Sequence, residues 1–449
     1  MKMNKNFAIL VFFTFLLTQN VSAKLFKAED FVLDNGLRVV VIENHKAPLI
    51  KHMMWYDAGA ADEKYGKGGS AHLLEHLMFR GTNKVKDGEY NRIMHENGAD
   101  SNAFTSHDMT VYHQFSDISR LEALMALEAD RMQNLNFDEK AFETEQKIVF
   151  QERKQVVENN PAASFGERLN LLLWGNLPYG HPVTGLADEI MALTADDVRD
   201  FYKNYYAPNN AILVLSGDID AATAKKLAQT YYGKIPQRKI TKRKIVAENK
   251  MFKEHLLMKL PQINTPKLVY KYLLPNYKNL KGNVYDYLVL SEYLGSDKTS
   301  ALYRELVDVR KIAVGVSSSY GFNAESNSVF SVSAIPAPDV SQLSLKIALR
   351  EARVAALQQL TPEKLEKVKK KMAADLIFAN DNPEDAAYWL GYMLINGFSL
   401  DETQNYADKI KDVTVDGVLQ AAKEVFLHAS EVEGELLPLS AAKGEIKND

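Results

Sequence analysis

Residues Gly68–Thr82 read GGSAHLLEHLMFRGT and set two histidines and a glutamate inside an apolar run. The spacing predicts a helix. Leu73, Leu74, Leu77 and Phe79 supply an inward-packing surface, while His72 and His76, four apart, share a second face one turn from each other. Glu75, three residues after His72, borders that face. Burying three such groups unpaired costs on the order of several kcal/mol, so a fold that keeps them must bring them a partner. Two imidazoles at this spacing each aim a nitrogen at one metal ion, and the neighbouring carboxylate reaches a water beside it. That arrangement suits hydrolysis, with the glutamate accepting a proton as water attacks a carbonyl and passing it to the leaving amine. Two ligands are too few, so a third must come from elsewhere in the chain. The long helical stretch FETEQKIVFQERKQVVEN offers Glu143, Glu145, Glu152 and Glu158. Glu145 and Glu152, seven apart, lie on one face, and spacing does not choose between them.

The rest of the chain bounds the other possibilities. At 449 residues it is too long for one ordinary core. Its 54 Lys and Arg against 58 Asp and Glu leave no basic excess for a nucleic-acid backbone, so that class of partner is excluded. The absence of cysteine removes thiol nucleophiles, zinc–thiolate sites and disulfides. Met1–Ala23 reads as a secretory signal peptide: Lys2 and Lys5, an apolar run from Phe7 to Leu17, then Val21-Ser22-Ala23. That run falls short of the about 20 residues a membrane span needs, and no transmembrane segment is expected after cleavage. Loss of the two lysines takes the net charge from −4 to −6. The expectation is an exported protein of the periplasm, with secretion to the medium as the alternative.

A basic stretch, GKIPQRKITKRKIVAENK at Gly233–Lys250, separates two pieces of similar size. Thr194 and Thr414 read as helix N-caps, Val198 matches Val418 and Tyr206 matches Phe426, all at an offset of 220, which favours an internal duplication. The expected division is a leader at 1–23, a first domain at 24–235, a linker at 236–250 and a second domain at 251–449. In the first half, Asp34-Asn35-Gly36 between β-rich flanks signals a hairpin, APLIKHMMWYDAG another strand, and ADSNAFTSHDMTVYHQF a strand pair. Helical patterns occupy about 70–80, 88–97, 118–134 and 139–158. No glycine-rich phosphate loop follows a strand. The predicted class is α+β, two homologous halves, each a mainly antiparallel sheet packed with helices.

HxxEH is the inverted zinc motif of the inverzincins. Its surroundings resemble the pitrilysin–insulinase–mitochondrial-processing-peptidase family through LDNGLRVVVIEN, GAADE, NGADSNAFTSHDMTVYHQ, LPYGHPVTG and YYAPNNAILVLSGDID. The resemblance implies one zinc ion per chain held by His72, His76 and Glu152, the last being the glutamate 76 residues after the second histidine. It implies Glu75 as base and Glu145 in a supporting role. SNAFT resembles the family's edge strand that pairs with extended substrate, which makes Asn102, Ala103 and Phe104 substrate-contact candidates.

The second half resembles the family at SDKTSALYRELVDVRKIAVGVSSSY, with one departure. Relatives that complete a catalytic site from this half carry an arginine and, seven residues on, a tyrosine. Ungapped alignment puts Val307 and Val314 there, and valine donates nothing. Arg310 and Tyr320 stand nearby but out of register. The resemblance therefore implies a zinc endopeptidase acting on short or unfolded polypeptides, paired with a homologous non-zinc subunit that supplies arginine and tyrosine, or else a homodimer. A non-catalytic structural subunit of a larger, membrane-associated complex is the alternative, and a metal-sequestering protein is a third reading that leaves Glu75 without a purpose.

Overall fold

The computed structural model describes residues 26–243, 251–323 and 325–439. The signal-peptide reading at 1–23 falls outside them, as does the stretch 244–250. Two sheets organise the chain. The first contains β1 (Ala28–Val32), β2 (Arg38–Glu43), β3 (Leu49–Tyr56), β4 (Asp100–Thr105), β5 (Thr110–Asp117) and β6 (Ala211–Gly217), in the order β1-β2-β6-β3-β5-β4. The second contains β7 (Lys253–Leu260), β8 (Lys267–Leu274), β9 (Ala313–Gly321), β10 (Ser328–Pro336) and β11 (Ser430–Pro438), in the order β7-β11-β8-β10-β9. Without β1 the two orders are the same. In each, the last strand in sequence inserts parallel to the first and antiparallel to the next, β6 between β2 and β3, β11 between β7 and β8. The other pairings are antiparallel. The class is α+β in two homologous halves.

Local chemistry accounts for the elements nearest the HxxEH motif. Gly36, at φ +85°, closes the β1–β2 hairpin. The helices are α1 (Ser70–Leu77), α2 (Glu89–Glu96), α3 (Leu121–Asn134) and α4 (Glu139–Arg153), and a wider π turn, Lys154–Glu158, continues α4. The Thr194 hydroxyl accepts from the amide of Asp197 and that of Thr414 from Gly417, so both threonines cap helices, while Val198 and Val418 are fully buried.

The halves are joined by an exchange of helices. α5 (Pro161–Trp174) leaves the first half and lays Phe165, Leu169 and Leu173 on Val269, Leu273, Val432 and Leu436 of the second sheet. The helix Pro383–Ile395 does the reverse, covering Val40, Met53, Trp55 and Val214 of the first sheet with Ala386, Ala387, Leu390 and Leu394. Both begin in the same way, with an asparagine N-cap followed by a first-turn proline: Asn160 accepts from the amides of Ala162 and Ala163, and Asn382 from that of Glu384. Both meet their sheet through a glycine. A β-carbon on Gly391 would come within 2.3 Å of the Trp55 indole, and one on Gly434 of β11 within 2.6 Å of Leu169.

The basic stretch after Gly233 differs from a solvated tether as far as it is described. Arg238 stacks on Tyr202 and donates to its carbonyl, and Arg243 is buried among carboxylates, because the first half presents acceptors along this path. Among the described residues, no helix is long and apolar enough to cross a membrane.

Substituting Gly391→Val overpacks the Trp55 contact and is expected to destabilise the chain by about 1–3 kcal/mol. Gly166→Ala, on the open side of α5, is expected to be neutral or stabilising. Differential scanning calorimetry of the two variants checks the pair.

Candidate metal centre

The loop ahead of α1 sets the helix. Glu63 accepts from the amides of Gly69 (3.1 Å) and Ala71 (2.8 Å), satisfying two donors that a helix start leaves free. Leu73, Leu74 and Leu77 are fully buried in the first core, which turns His72, Glu75 and His76 toward α4 and β4. α4 is anchored behind by Phe142 and Val149, by Gln146 donating to the carbonyls of Ile190 and Leu193, and by Arg153 forked onto Glu167 of α5. Glu145 and Glu152 face α1 at their seven-residue spacing. Glu143 and Glu158 point to solvent, which removes them as ligands.

His72, His76 and Glu152 each offer one ligand atom, and these atoms lie within 4.8 Å of one another. Nε2 of His76 is 3.5 Å from Glu152 Oε2, and Nε2 of His72 is 3.8 Å from it. Those separations are too long for hydrogen bonds. They are close to the roughly 3.4 Å edge of a tetrahedron whose bonds are about 2.05 Å, the zinc–nitrogen and zinc–oxygen length. The donor set therefore fits zinc, with a fourth position left over.

Glu145 does not share that set. Its Oε2 takes Nδ1 of His76 at 2.9 Å, and its Oε1 takes Arg80, so it fixes the tautomer that leaves His76 Nε2 free for an ion. Arg80 was not a sequence candidate. Its place four residues after His76, just past the end of α1, was the available signal. His72 has no such support: its Nδ1 is buried without a hydrogen-bond partner among the described residues.

Charge follows the geometry. Burial, and then the neighbouring His76, hold the His72 pKa below the usual imidazole value, so this ring is neutral and available as a ligand at pH 7. Burial also pushes the Glu145 carboxyl up, but His76 and Arg80 outweigh it and keep the group ionised. The Glu152 carboxyl is lowered, chiefly by His76.

Glu75 stands beside His72, His76 and Glu152. Thr105, the last residue of β4, donates its hydroxyl to Glu75 Oε2 at 2.6 Å. Burial pushes the Glu75 carboxyl up while this bond and His76 pull it down, leaving it above the usual carboxylate value, a direction that suits a group moving protons near neutrality. Thr105 was missed in the sequence although it directly follows the three substrate-contact candidates. Of those, Asn102 is exposed and borders a cleft of about 310 Å³ shared with Glu75, His76 and Phe79. Ala103 packs on the first core. Phe104 faces away, between Trp55 and Tyr388. β4 pairs with β5 alone, so its outer backbone edge is open among the described residues. In the second half, Arg310 is tied to Glu305 and Glu351, and Tyr320 is buried between Tyr287 and Phe330. Val314 lies exposed on β9.

Comparison with known proteins agrees with the two-half fold. The insulinase (peptidase family M16) model matches residues 38–185, and the peptidase M16 inactive-domain model matches residues 192–372. The zinc protease PqqE of Helicobacter pylori is 28% identical over 421 residues, covering 89% of this chain and 90% of that protein. The mitochondrial-processing peptidase subunit beta of Lentinula edodes is 27% identical over 204 residues, 45% of this chain and 44% of that one. A crystal structure of a protease from Helicobacter pylori superposes with a TM-score of 0.82 at 27% identity, covering 92% of this chain and all of that one. The first half of the periplasmic protease PqqL from Escherichia coli has the same fold, with a TM-score of 0.75 at 20% identity over 92% of each chain.

Glu145→Gln retains the shape of the side chain but weakens its hold on His76. Zinc affinity, measured by competition with a chromogenic chelator, is expected to fall roughly 10- to 100-fold.

Proposed function

The chain belongs to peptidase family M16, the insulinase family, and we propose that it is a zinc-dependent endopeptidase, the zinc-bearing subunit of an assembly that hydrolyses short or unfolded polypeptides. The observation that carries this reading is the convergence of His72, His76 and Glu152 at zinc-ligand separations, with Glu75 beside them and an open strand edge alongside.

His72, His76 and Glu152 would hold one zinc ion. Zinc there would supply Lewis acidity, lowering the pKa of water and polarising a carbonyl. The remaining work belongs to the chain. Glu75 takes a proton from the attacking water and gives it to the leaving amine. Thr105 occupies one carboxylate oxygen of Glu75 and so aims the other. The outer edge of β4 receives the substrate main chain as an added strand, which favours extended, flexible polypeptides. Asn102 and Ala103 meet it there, and Phe104 contributes through its backbone because its ring is engaged behind the sheet.

The arginine and tyrosine that would grip the scissile carbonyl have no counterpart at Val307 and Val314, and Arg310 and Tyr320 are engaged elsewhere. We therefore assign them to a homologous non-zinc partner, with a homodimer using other donors as the alternative. The leader at Met1–Ala23 supports export, to the periplasm in this reading. A purely structural or metal-sequestering subunit has no use for Glu75 or for a hydroxyl that orients it, and retention of both favours the enzyme.

The test is a fluorogenic peptide assay on the chain alone and after co-purification from its native host. The isolated chain is expected to turn over little, and the homologous partner to restore activity. Glu75→Gln is expected to reduce the restored rate roughly 100- to 10,000-fold, with zinc content by mass spectrometry unchanged at one per chain. Full activity of the isolated chain refutes the partner. A Glu75→Gln variant as active as the parent refutes the base.

A further inference from the structure

One buried ion cluster has no part in the chemistry above, yet it joins the loop before α1, the β4–β5 turn and the second half. Arg243, from the basic stretch between the halves, is 7% exposed. Its Nε and Nη2 donate to the two oxygens of Asp62 at 3.0 and 2.6 Å, a bidentate fork. Its Nη1 donates to Asp108 Oδ1, and Nη2 also reaches the Asp108 carbonyl at 3.2 Å. Asp108 is further held by the Tyr179 hydroxyl at 2.5 Å and by Asn323 Nδ2 at 2.8 Å.

The positions of these residues give the cluster its meaning. Asp62 is next to Glu63, which caps the start of α1. Asp108 lies in the turn between β4 and β5, three residues from Thr105. Asn323 follows β9 in the second half. The two first-half segments also touch directly, Ala60 and Ala61 donating to the carbonyls of Ser106 (3.0 Å) and His107 (2.8 Å). That approach requires Gly59, since a β-carbon there would fall 2.4 Å from the Ser106 carbonyl oxygen. One guanidinium thus sits between two carboxylates that would repel each other without it.

We propose that Arg243 is a positioning residue for the candidate site. It clamps the β4–β5 turn to the loop that starts α1, so that Thr105 meets Glu75, and through Asp108 and Asn323 it makes that register depend on the second half. The structural side stands on the contacts alone, and the catalytic side rests on the peptidase reading.

The test uses the full chain with Arg243→Gln, which removes charge and fork, and Arg243→Lys, which keeps the charge without the fork. Hydrogen exchange at the amides of Ala60, Ala61 and Ser106 is expected to accelerate by about tenfold or more in the glutamine variant and less in the lysine variant. The amides of β3 and β6 are expected to keep their rates. In the partnered assembly, kcat/KM is expected to fall in the same order at temperatures well below melting, with partial rescue by lysine and zinc content unchanged. If Arg243→Gln does not fold, Asn323→Ala removes the second-half contact, together with the turn bonds its Oδ1 accepts from Glu325 and Ser326, and is expected to move the same amides in the same direction. The proposal is overturned if those amides are unmoved, if β3 and β6 accelerate equally, or if kcat/KM is preserved while only the melting temperature falls. Altered exchange in a chain whose parent assembly cleaves no peptide leaves the clamp standing and removes the peptidase reading instead.

Discussion

Each sheet here is apolar on both faces, and one half of the chain supplies only one cover. Val39, Val41, Met54 and Tyr56 face the first half's own helices, while Val40, Met53 and Trp55 face the other way and are closed by Pro383–Ile395. The second sheet depends in the same way on α5. Burial of apolar area at roughly 25 cal/mol per Å² makes either bare face a large loss, so neither half is expected to stand alone. The exchange also steadies the site, because α5 continues from α4 and receives Arg153, the neighbour of Glu152, through Glu167.

Within that frame the site is a problem of keeping polar groups in an apolar interior. Glu145 is 4% exposed, and it is tolerable because an imidazole and a guanidinium both meet it. The same pairing orients His76. Thr105 does similar work for Glu75 from a different element. The orientations of His76 and Glu75 and the stability of the core therefore depend on the same set of hydrogen bonds, and a change aimed at one disturbs the others.

Much of this was legible because it is local. His72, Glu75 and His76 lie within one helical turn, the Asp34-Asn35-Gly36 hairpin within a few residues, and the alternation of SNAFTSHDMTVYHQ marks two strands directly. The duplication showed through a constant offset, although the repeated Asn-Pro starts of the exchanged helices, at Asn160 and Asn382, went unnoticed. What stayed hidden is contact across the fold. Spacing left Glu145 and Glu152 open, because helical periodicity gives a face and not the neighbour of that face. Arg243 stood unmarked in a basic linker, since nothing nearby announces that Asp62 and Asp108 converge on it. Phe104 read as part of a substrate strand, but alternation turns its ring to the side covered by the other half.

The duplication makes the difference between the halves informative. Val284–Gly295 follows β8 and precedes β9 as α1 follows β3 and precedes β4, yet it buries Tyr285, Tyr287, Val289, Leu290, Tyr293 and Leu294 and carries no histidine. A helix of that kind is the cheaper solution, because burial only keeps its tyrosine phenols in their neutral form and no imidazole is buried. The first half keeps the costlier solution together with the supports that make it tolerable: Glu145 and Arg80 behind one histidine, and Thr105 on the glutamate. The second half packs its helix without such a set, so the fold alone does not demand it. Its persistence on one side of a duplicated fold is the physical reason to read that side as the working one.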